Sequence, residues 1–251
     1  MTSPSFRRQI IAFALLSLIF GQSVSTARAA ELFGPGNGDV TANVGVVSQY
    51  IFRGLSQSDE GPALQAGAEY AHPSGLYAGV WGSNVDCNDG NEANVEIDWT
   101  AGWRTSHDKL TLDMGAIYYW YPGADGDLDY DYIEAKLAAG YDFEVFNLLG
   151  AVFYSPDFFA GSGNSLYASL DGGVPLPYDL TLKGHYGYQW IDDEGDFGSP
   201  DYADWMAGLS YNFKGVDLTL SYVDTDLDDG VECVKGWCDE RILFSASYAF
   251  K

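Results

Sequence analysis

From residue 40 to residue 250 apolar and polar side chains alternate, and the alternation breaks at turn residues. In VTANVGVVSQYIF, Val40, Ala42, Val44, Val46, Tyr50 and Phe52 share one side, and Thr41, Asn43, Gly45, Gln49 and Arg53 share the other. EANVEIDWTAGW sets Val95, Ile97, Trp99 and Trp103 against Glu96, Asp98 and Thr100. KLTLDMGAIYYW sets Leu110, Leu112, Met114, Tyr118 and Trp120 against Thr111, Asp113 and Gly115. DLTLKGHYGYQW sets Leu182, Tyr186, Tyr188 and Trp190 against Lys183, His185 and Gln189. A period of two belongs to strands, because successive strand side chains point to opposite faces. Twelve strands are expected, near 40–52, 62–71, 75–85, 92–105, 109–121, 130–141, 144–155, 164–173, 178–190, 202–213, 216–224 and 240–250.

The connectors alternate in length. HPS (72–74), SHD (106–108), DF (142–143), VPLP (174–177) and KG (214–215) are short. The intervening ones are long, and they hold 21 of the 36 acidic residues. Short turns at one end and long loops at the other are the connectivity of a transmembrane β-barrel. A secreted sandwich or lipocalin-like barrel would carry a Lys-, Glu- and Thr-rich polar face toward water. Here that face is often small: Asn43, Gly45, Thr100, Gly102, Gly115 and Gly187. Aromatic residues crowd both ends of the apolar face, with Tyr50, Phe52, Tyr118, Trp120, Tyr188 and Trp190 near the long loops and Trp103, Tyr141, Tyr211 and Phe213 near the turns. Such paired girdles mark the two interfaces of an outer-membrane barrel. The expected fold is therefore all-β, an antiparallel up-and-down transmembrane β-barrel of about twelve strands over residues 40–251. The last strand, RILFSASYAFK, ends in aromatics like the signal that the barrel-assembly machinery reads, with Lys251 one residue beyond.

The charge sharpens this picture. Twelve Lys and Arg face 36 Asp and Glu, a formal net of −24, which argues against nucleic acid as a partner. Arg7 and Arg8, the apolar run IIAFALLSLIF (10–20) and ARA at 27–29 read as a signal peptide over 1–29, followed by a short lead, 30–39. Cleavage removes three arginines and no acid, taking the net charge to −27. No later apolar run approaches the ~20 residues of a spanning helix. The expected location is the outer membrane of a Gram-negative cell, in contact with lipid and lipopolysaccharide.

The stretch SQYIFRGLSQS (48–58), followed by PALQ (62–65), GLYAGVWGSNV (75–85) and EIDWTAGW (96–103), resembles the TorF family of porins, a proteobacterial family also called Gcw_chp. The resemblance is close over the first third of the chain. It implies an outer-membrane barrel with a porin role, no catalytic residues and no defined transport substrate.

Candidate pore-lining charges on the inward side are Arg53, Glu69, Glu96, Asp98, Arg104, Asp113, Glu134, Lys136 and Lys183. Arg53 is expected at the lumen mouth, paired with an acid such as Glu69 or Asp98, or held at the water boundary because charge in hydrocarbon is costly. Eight-stranded barrels are filled by side chains and barrels of 16–18 strands leave a channel. Twelve lies between, so ion pairs could fill the interior or line an opening. An open lumen would favour cations, given the acid excess. Small solutes or ions are the expected passengers, and a structural or adhesive barrel acting through its acidic loops is the alternative.

Alternating acids at Asp125, Asp127, Asp129 and Asp131, and at Asp224, Asp226, Asp228 and Asp229, offer oxygens for a loosely held divalent ion. The second run is not an EF-hand, since Lys235 stands where the closing glutamate belongs. Cys233 and Cys238 are the expected disulfide in an oxidising compartment, with Cys87 left over. No resident cofactor is expected. Enzymatic activity is not expected either. GxSxG is absent, His72 and His107 fall in short turns, and His185 has no obvious nucleophile beside it.

Overall fold

A computed structural model describes residues 38–87 and 93–250. The expected signal peptide, most of the lead and Lys251 lie outside the described residues. Fourteen strands are present among the described residues: β1 (Asp39–Val47), β2 (Ile51–Phe52), β3 (Leu55–Ser56), β4 (Ala63–Ala71), β5 (Leu76–Asn84), β6 (Val95–His107), β7 (Leu110–Trp120), β8 (Tyr132–Asp142), β9 (Asn147–Ser155), β10 (Ser165–Leu176), β11 (Leu180–Ile191), β12 (Tyr202–Phe213), β13 (Val216–Thr225) and β14 (Arg241–Phe250). All except β2 and β3 form one closed antiparallel barrel in sequential order. It closes where β1 pairs β14 on one side, Val44 opposite Tyr248, and β4 on the other, Val44 opposite Ala66.

Closure is what the alternation requires. Backbone groups in hydrocarbon have no water to bond, so a spanning sheet must leave no edge. Large apolar side chains stand exposed on the outer side of the barrel, among them Val46, Leu64, Trp99, Met114, Leu137, Leu170, Leu209, Leu220 and Phe244. On a water-soluble surface so continuous an apolar belt would be untenable. Against lipid it is the favourable arrangement. Tyr118, Trp120, Tyr154 and Trp190 sit on this outer side near the long loops, and Tyr141, Tyr211, Phe213 and Phe250 near the turns.

Several boundaries differ from the sequence expectation, among them the start of β9, at Asn147 rather than 144, which places that turn at 143–146 rather than at DF (142–143). β10 runs on to Leu176, with Pro175 opposite Thr181, so VPLP is mostly strand and the turn lies at 177–179. The largest difference is in the first strand. β1 stops at Val47, not at residue 52, and the chain turns into the barrel. The Ser48 N–H donates to Phe244 O at 2.8 Å and the Phe244 N–H to Ser48 Oγ at 3.0 Å, which ends the β1–β14 ladder. Beyond Ser48 the chain forms a hairpin inside the lumen. Tyr50 and Phe52, expected in the outer girdle, are lumen residues: Tyr50 is 1% exposed and stands edge-on to Trp81, and Phe52 packs edge-on to Tyr119.

Candidate functional site: the lumen and its infolded hairpin

β2 and β3 pair Ile51 with Ser56 and Phe52 with Leu55, leaving Arg53 and Gly54 as the two turn residues. Both have positive φ, 48° and 83°. That is the mark of a type I′ turn, whose twist suits a two-residue hairpin. Gly54 is required twice over. Its φ favours glycine, and a Cβ there would collide with Thr225 Cγ2 on β13 and stand 2.9 Å from Asp204 Cβ on β12. The hairpin tip therefore presses on the barrel wall.

Arg53 reaches wall strands further round the barrel. Its Nη2 donates to both carboxylate oxygens of Glu134 on β8, at 2.8 and 2.7 Å, and its Nη1 donates to Gln189 Oε1 on β11 at 2.8 Å. Tyr119 donates to the same Glu134 carboxylate at 2.9 Å. Four rings surround the guanidinium, with Tyr167 and Phe52 closest at 4.2 and 4.6 Å from their centroids. A guanidinium so desolvated gains from aromatic faces as well as from its carboxylate. Arg53 is thus an inward cation, but its partners are Glu134 and Gln189, not Glu69 or Asp98. It lies within the packed interior rather than at a water boundary.

The hairpin base is tied just as closely. Tyr50 donates to Glu96 Oε1 at 2.7 Å, and Tyr121 donates to Glu96 Oε2 at 2.8 Å. Burial, then the neighbouring Glu96 carboxylate, pushes both hydroxyls well above the ordinary phenol range, so both remain donors. The Ser56 N–H donates to Trp237 O, and the Asp86 N–H to Gln57 O. Tyr50, Trp81, Ile117, Tyr119, Tyr132, Phe153, Phe158 and Tyr167 form one buried cluster around the hairpin. Asp98 is 0% exposed, and among the described residues its two carboxylate oxygens have no hydrogen-bond partner.

Toward the turns the interior changes. Arg104 on β6 bonds Glu69 on β4 at 3.1 Å and Asp113 on β7 at 2.9 Å. Lys136 on β8 reaches the same Asp113 at 3.1 Å, and Tyr77 on β5 donates to it at 2.7 Å. The Arg104 guanidinium lies 4.4 Å from the Tyr77 ring centroid. This network runs from wall strand to wall strand with no inserted segment. Lys183 is on β11, on the same inward side as His185 and two residues nearer the turns. The described inward residues at this end are otherwise mostly short, including Thr111, Ala138, Ser210, Thr219 and Ser247.

A third cluster was not singled out as a site from sequence. His185 lies between Asp171 on β10 and Asp204 on β12, its ring nitrogens 2.8 and 2.9 Å from their oxygens, with the Tyr167 hydroxyl 2.9 Å from Nε2. The available signal was the shared inward parity of Tyr167, Asp171 and His185. The inward glycines also take on a specific role. Tyr77 lies over Gly102 and Gly115, where a Cβ would stand 2.5 and 2.7 Å from its hydroxyl oxygen, and Tyr167 lies over Gly187 in the same way. They seat rings rather than widen a pore.

Among the described residues the acidic loop runs do not gather into a ligand set. Among the described residues, the group of acids and cysteines that gathers closely is Asp229 with Cys233 and Cys238, and those two sulfurs are joined in a disulfide. Asp125 caps a short 3-10 turn by accepting from the Asp127 N–H, and Asp129 takes a left-handed conformation at its end. Asp224 accepts from Tyr222 and the Thr225 N–H, Asp226 accepts from the Ala203 N–H, and the Asp228 N–H donates to Glu232. These carboxylates and backbones hold loop shape. Cys87 is not part of the disulfide.

Comparison with known proteins agrees with this architecture. A family model described as "Bacterial protein of unknown function (Gcw_chp)" matches residues 33–250. Among curated proteins none matches. A solved structure titled "NanC porin structure in rhombohedral crystal form" superposes with a TM-score of 0.55 at 10% identity, covering 84% of this chain and 99% of that one. Another, titled "Unveiling the Mechanism Behind the in-meso Crystallization of Membrane Proteins", gives 0.52 at 13% identity, covering 84% and 83%. At these identities the likeness is one of fold.

Proposed function

Since the chain belongs to the Gcw_chp family, whose description assigns no activity, we propose from its own geometry that it is an outer-membrane channel of porin type. In this reading small solutes or ions diffuse through the barrel, cations in preference to anions, and the 48–58 hairpin is the constriction. The observation that carries it is the closed twelve-stranded barrel with an apolar exterior and a charged interior. The resemblance of residues 48–103 to the TorF porins points the same way. Cation preference is supported by the acid excess of the chain, 36 Asp and Glu against 12 Lys and Arg, which surrounds the lumen and its long-loop mouth with negative potential. Charges lining a pore set its selectivity. The same reading includes export by the signal peptide at 1–29, insertion by the barrel-assembly machinery, and lipid and lipopolysaccharide as surroundings. Nothing in it calls for catalysis.

One observation favours the second reading, a structural or adhesive barrel acting through its loops. At the level of Arg53 the interior is packed, with Tyr50, Tyr119, Glu134 and Gln189 at most 1% exposed. Conduction in the channel reading therefore requires the hairpin to move. Planar-bilayer recording of the purified, refolded protein decides between them. Discrete steps, with a reversal potential in a salt gradient showing cation preference, are expected. A silent membrane at every voltage, together with loop-dependent surface binding, would replace the channel by the second reading.

A further inference from the structure

Above the hairpin, on the long-loop side, lies a cavity of about 230 Å³. Its floor is the hairpin itself, through Phe52 and Leu55, and its walls include Tyr130, Phe158, Phe159, Phe197 and Trp237. The walls are braced against one another. Tyr130 stacks on Phe159 at 4.4 Å between centroids, Tyr132 meets Phe158 edge-on at 4.7 Å, and Phe158 lies 5.6 Å from Phe197. The Trp237 side is fixed too, because its indole N–H donates to Asp59, its carbonyl accepts from Ser56, and its loop is closed by the Cys233–Cys238 disulfide. Such a cavity is largely formed before any ligand arrives, which lowers the ordering cost of binding.

Four properties select the ligand. Among the described residues no charged side chain lines the cavity, so a charged molecule would lose hydration without a partner there. The loops around it are acidic, with Asp59 and Asp129 among the residues near Trp237 and Phe159, which further disfavours anions. The lining offers ring faces and edges at angles from stacked to perpendicular, the geometry that aromatic pairs prefer. Size sets the upper limit. A dry cavity of about 150 Å³ accepts benzene, so 230 Å³ accommodates one or two fused rings.

We infer that this loop-side cavity binds a single uncharged aromatic molecule of one or two rings. Binding is an equilibrium property of the vestibule and is independent of whether the barrel conducts. The test is calorimetric titration of the whole refolded protein in micelles with indole, against empty micelles to remove partitioning. Saturable one-to-one binding above that blank is expected, at least tenfold weaker for indole-3-carboxylate. Val234→Trp, at a half-exposed position of the rim, should weaken indole at least tenfold, and Phe197→Trp should do the same by filling the cavity from another wall. Heats equal to the blank, equal binding of the carboxylate, or unchanged indole affinity in both folded variants would overturn the inference.

Discussion

The two halves of the lumen solve the same problem in different ways. Each holds an arginine within hydrogen-bond reach of a buried carboxylate and over a tyrosine ring, Arg53 with Glu134 and Tyr167, Arg104 with Asp113 and Tyr77. Arg104 is rooted in a wall strand. Its network includes Glu69 and Lys136 on two further strands. Arg53 sits on a two-residue turn that crosses the lumen among aromatic rings. The turn-side half is a charged lining, and the loop-side half is a packed core built around an insert. Charge inside a barrel therefore does not by itself mark a pore. What decides is whether the charged group belongs to the wall or to a segment that can leave it.

Truncating each arginine in turn separates the two halves most sharply. Arg53→Ala leaves Glu134 buried without its cation, and breaking a buried pair costs about 3–5 kcal/mol. The hairpin can relieve that cost by undocking. Limited proteolysis should then cut within residues 48–58, and urea unfolding in lipid vesicles should show the loss. Arg104→Ala keeps Lys136 on Asp113 and strands only Glu69, so a cost of roughly 1–3 kcal/mol is expected, with no new cleavage. Equal protease patterns in the two variants would erase the difference between insert and wall.

A smaller change tests how the tip is seated. Gly54→Ala adds a Cβ that collides with Thr225 at a left-handed φ. The conformational cost is about 1–3 kcal/mol, and it should appear as hairpin release with the strand signal in far-ultraviolet circular dichroism unchanged. Wild-type protease resistance in this variant would mean that the tip has slack.

The barrel was legible in the sequence because its outer face obeys one rule everywhere. Period-two alternation places Leu112, Met114 and Tyr118 outward without any knowledge of their neighbours. Parity likewise placed Glu69, Arg104, Asp113 and Lys136 inside. Their pairing was not legible, because partners such as Arg104 and Glu69 lie 35 residues apart and meet only through register. The hairpin was missed for a different reason. Tyr50 and Phe52 continue the parity of Val44 and Val46, so alternation cannot tell a wall strand from an infolded one. The discriminating sign was Ile51, an apolar residue on the inward parity, which makes YIF a short continuous apolar run buried on both sides. Ile117 and Tyr119 carry the same sign on β7, as do Phe153 on β9 and Val223 on β13. These apolar inward positions lie in the loop-side half. That is the signature of a filled interior, and it is readable once inward residues are sorted by height as well as by face.

Whether the infolded hairpin, rather than the barrel wall, sets the opening can be read from single-channel conductance. The comparison is between the wild-type protein and a variant in which residues 50–57 are replaced by a short Gly-Ser connection. The shortened variant should conduct in long-lived steps several-fold larger than the wild type and keep its preference for cations, since the deletion removes Arg53 and no acid and leaves Glu96, Asp98 and Glu134 on the opened wall. Identical step size in the two proteins, or silence in both, would show that the hairpin is not the constriction.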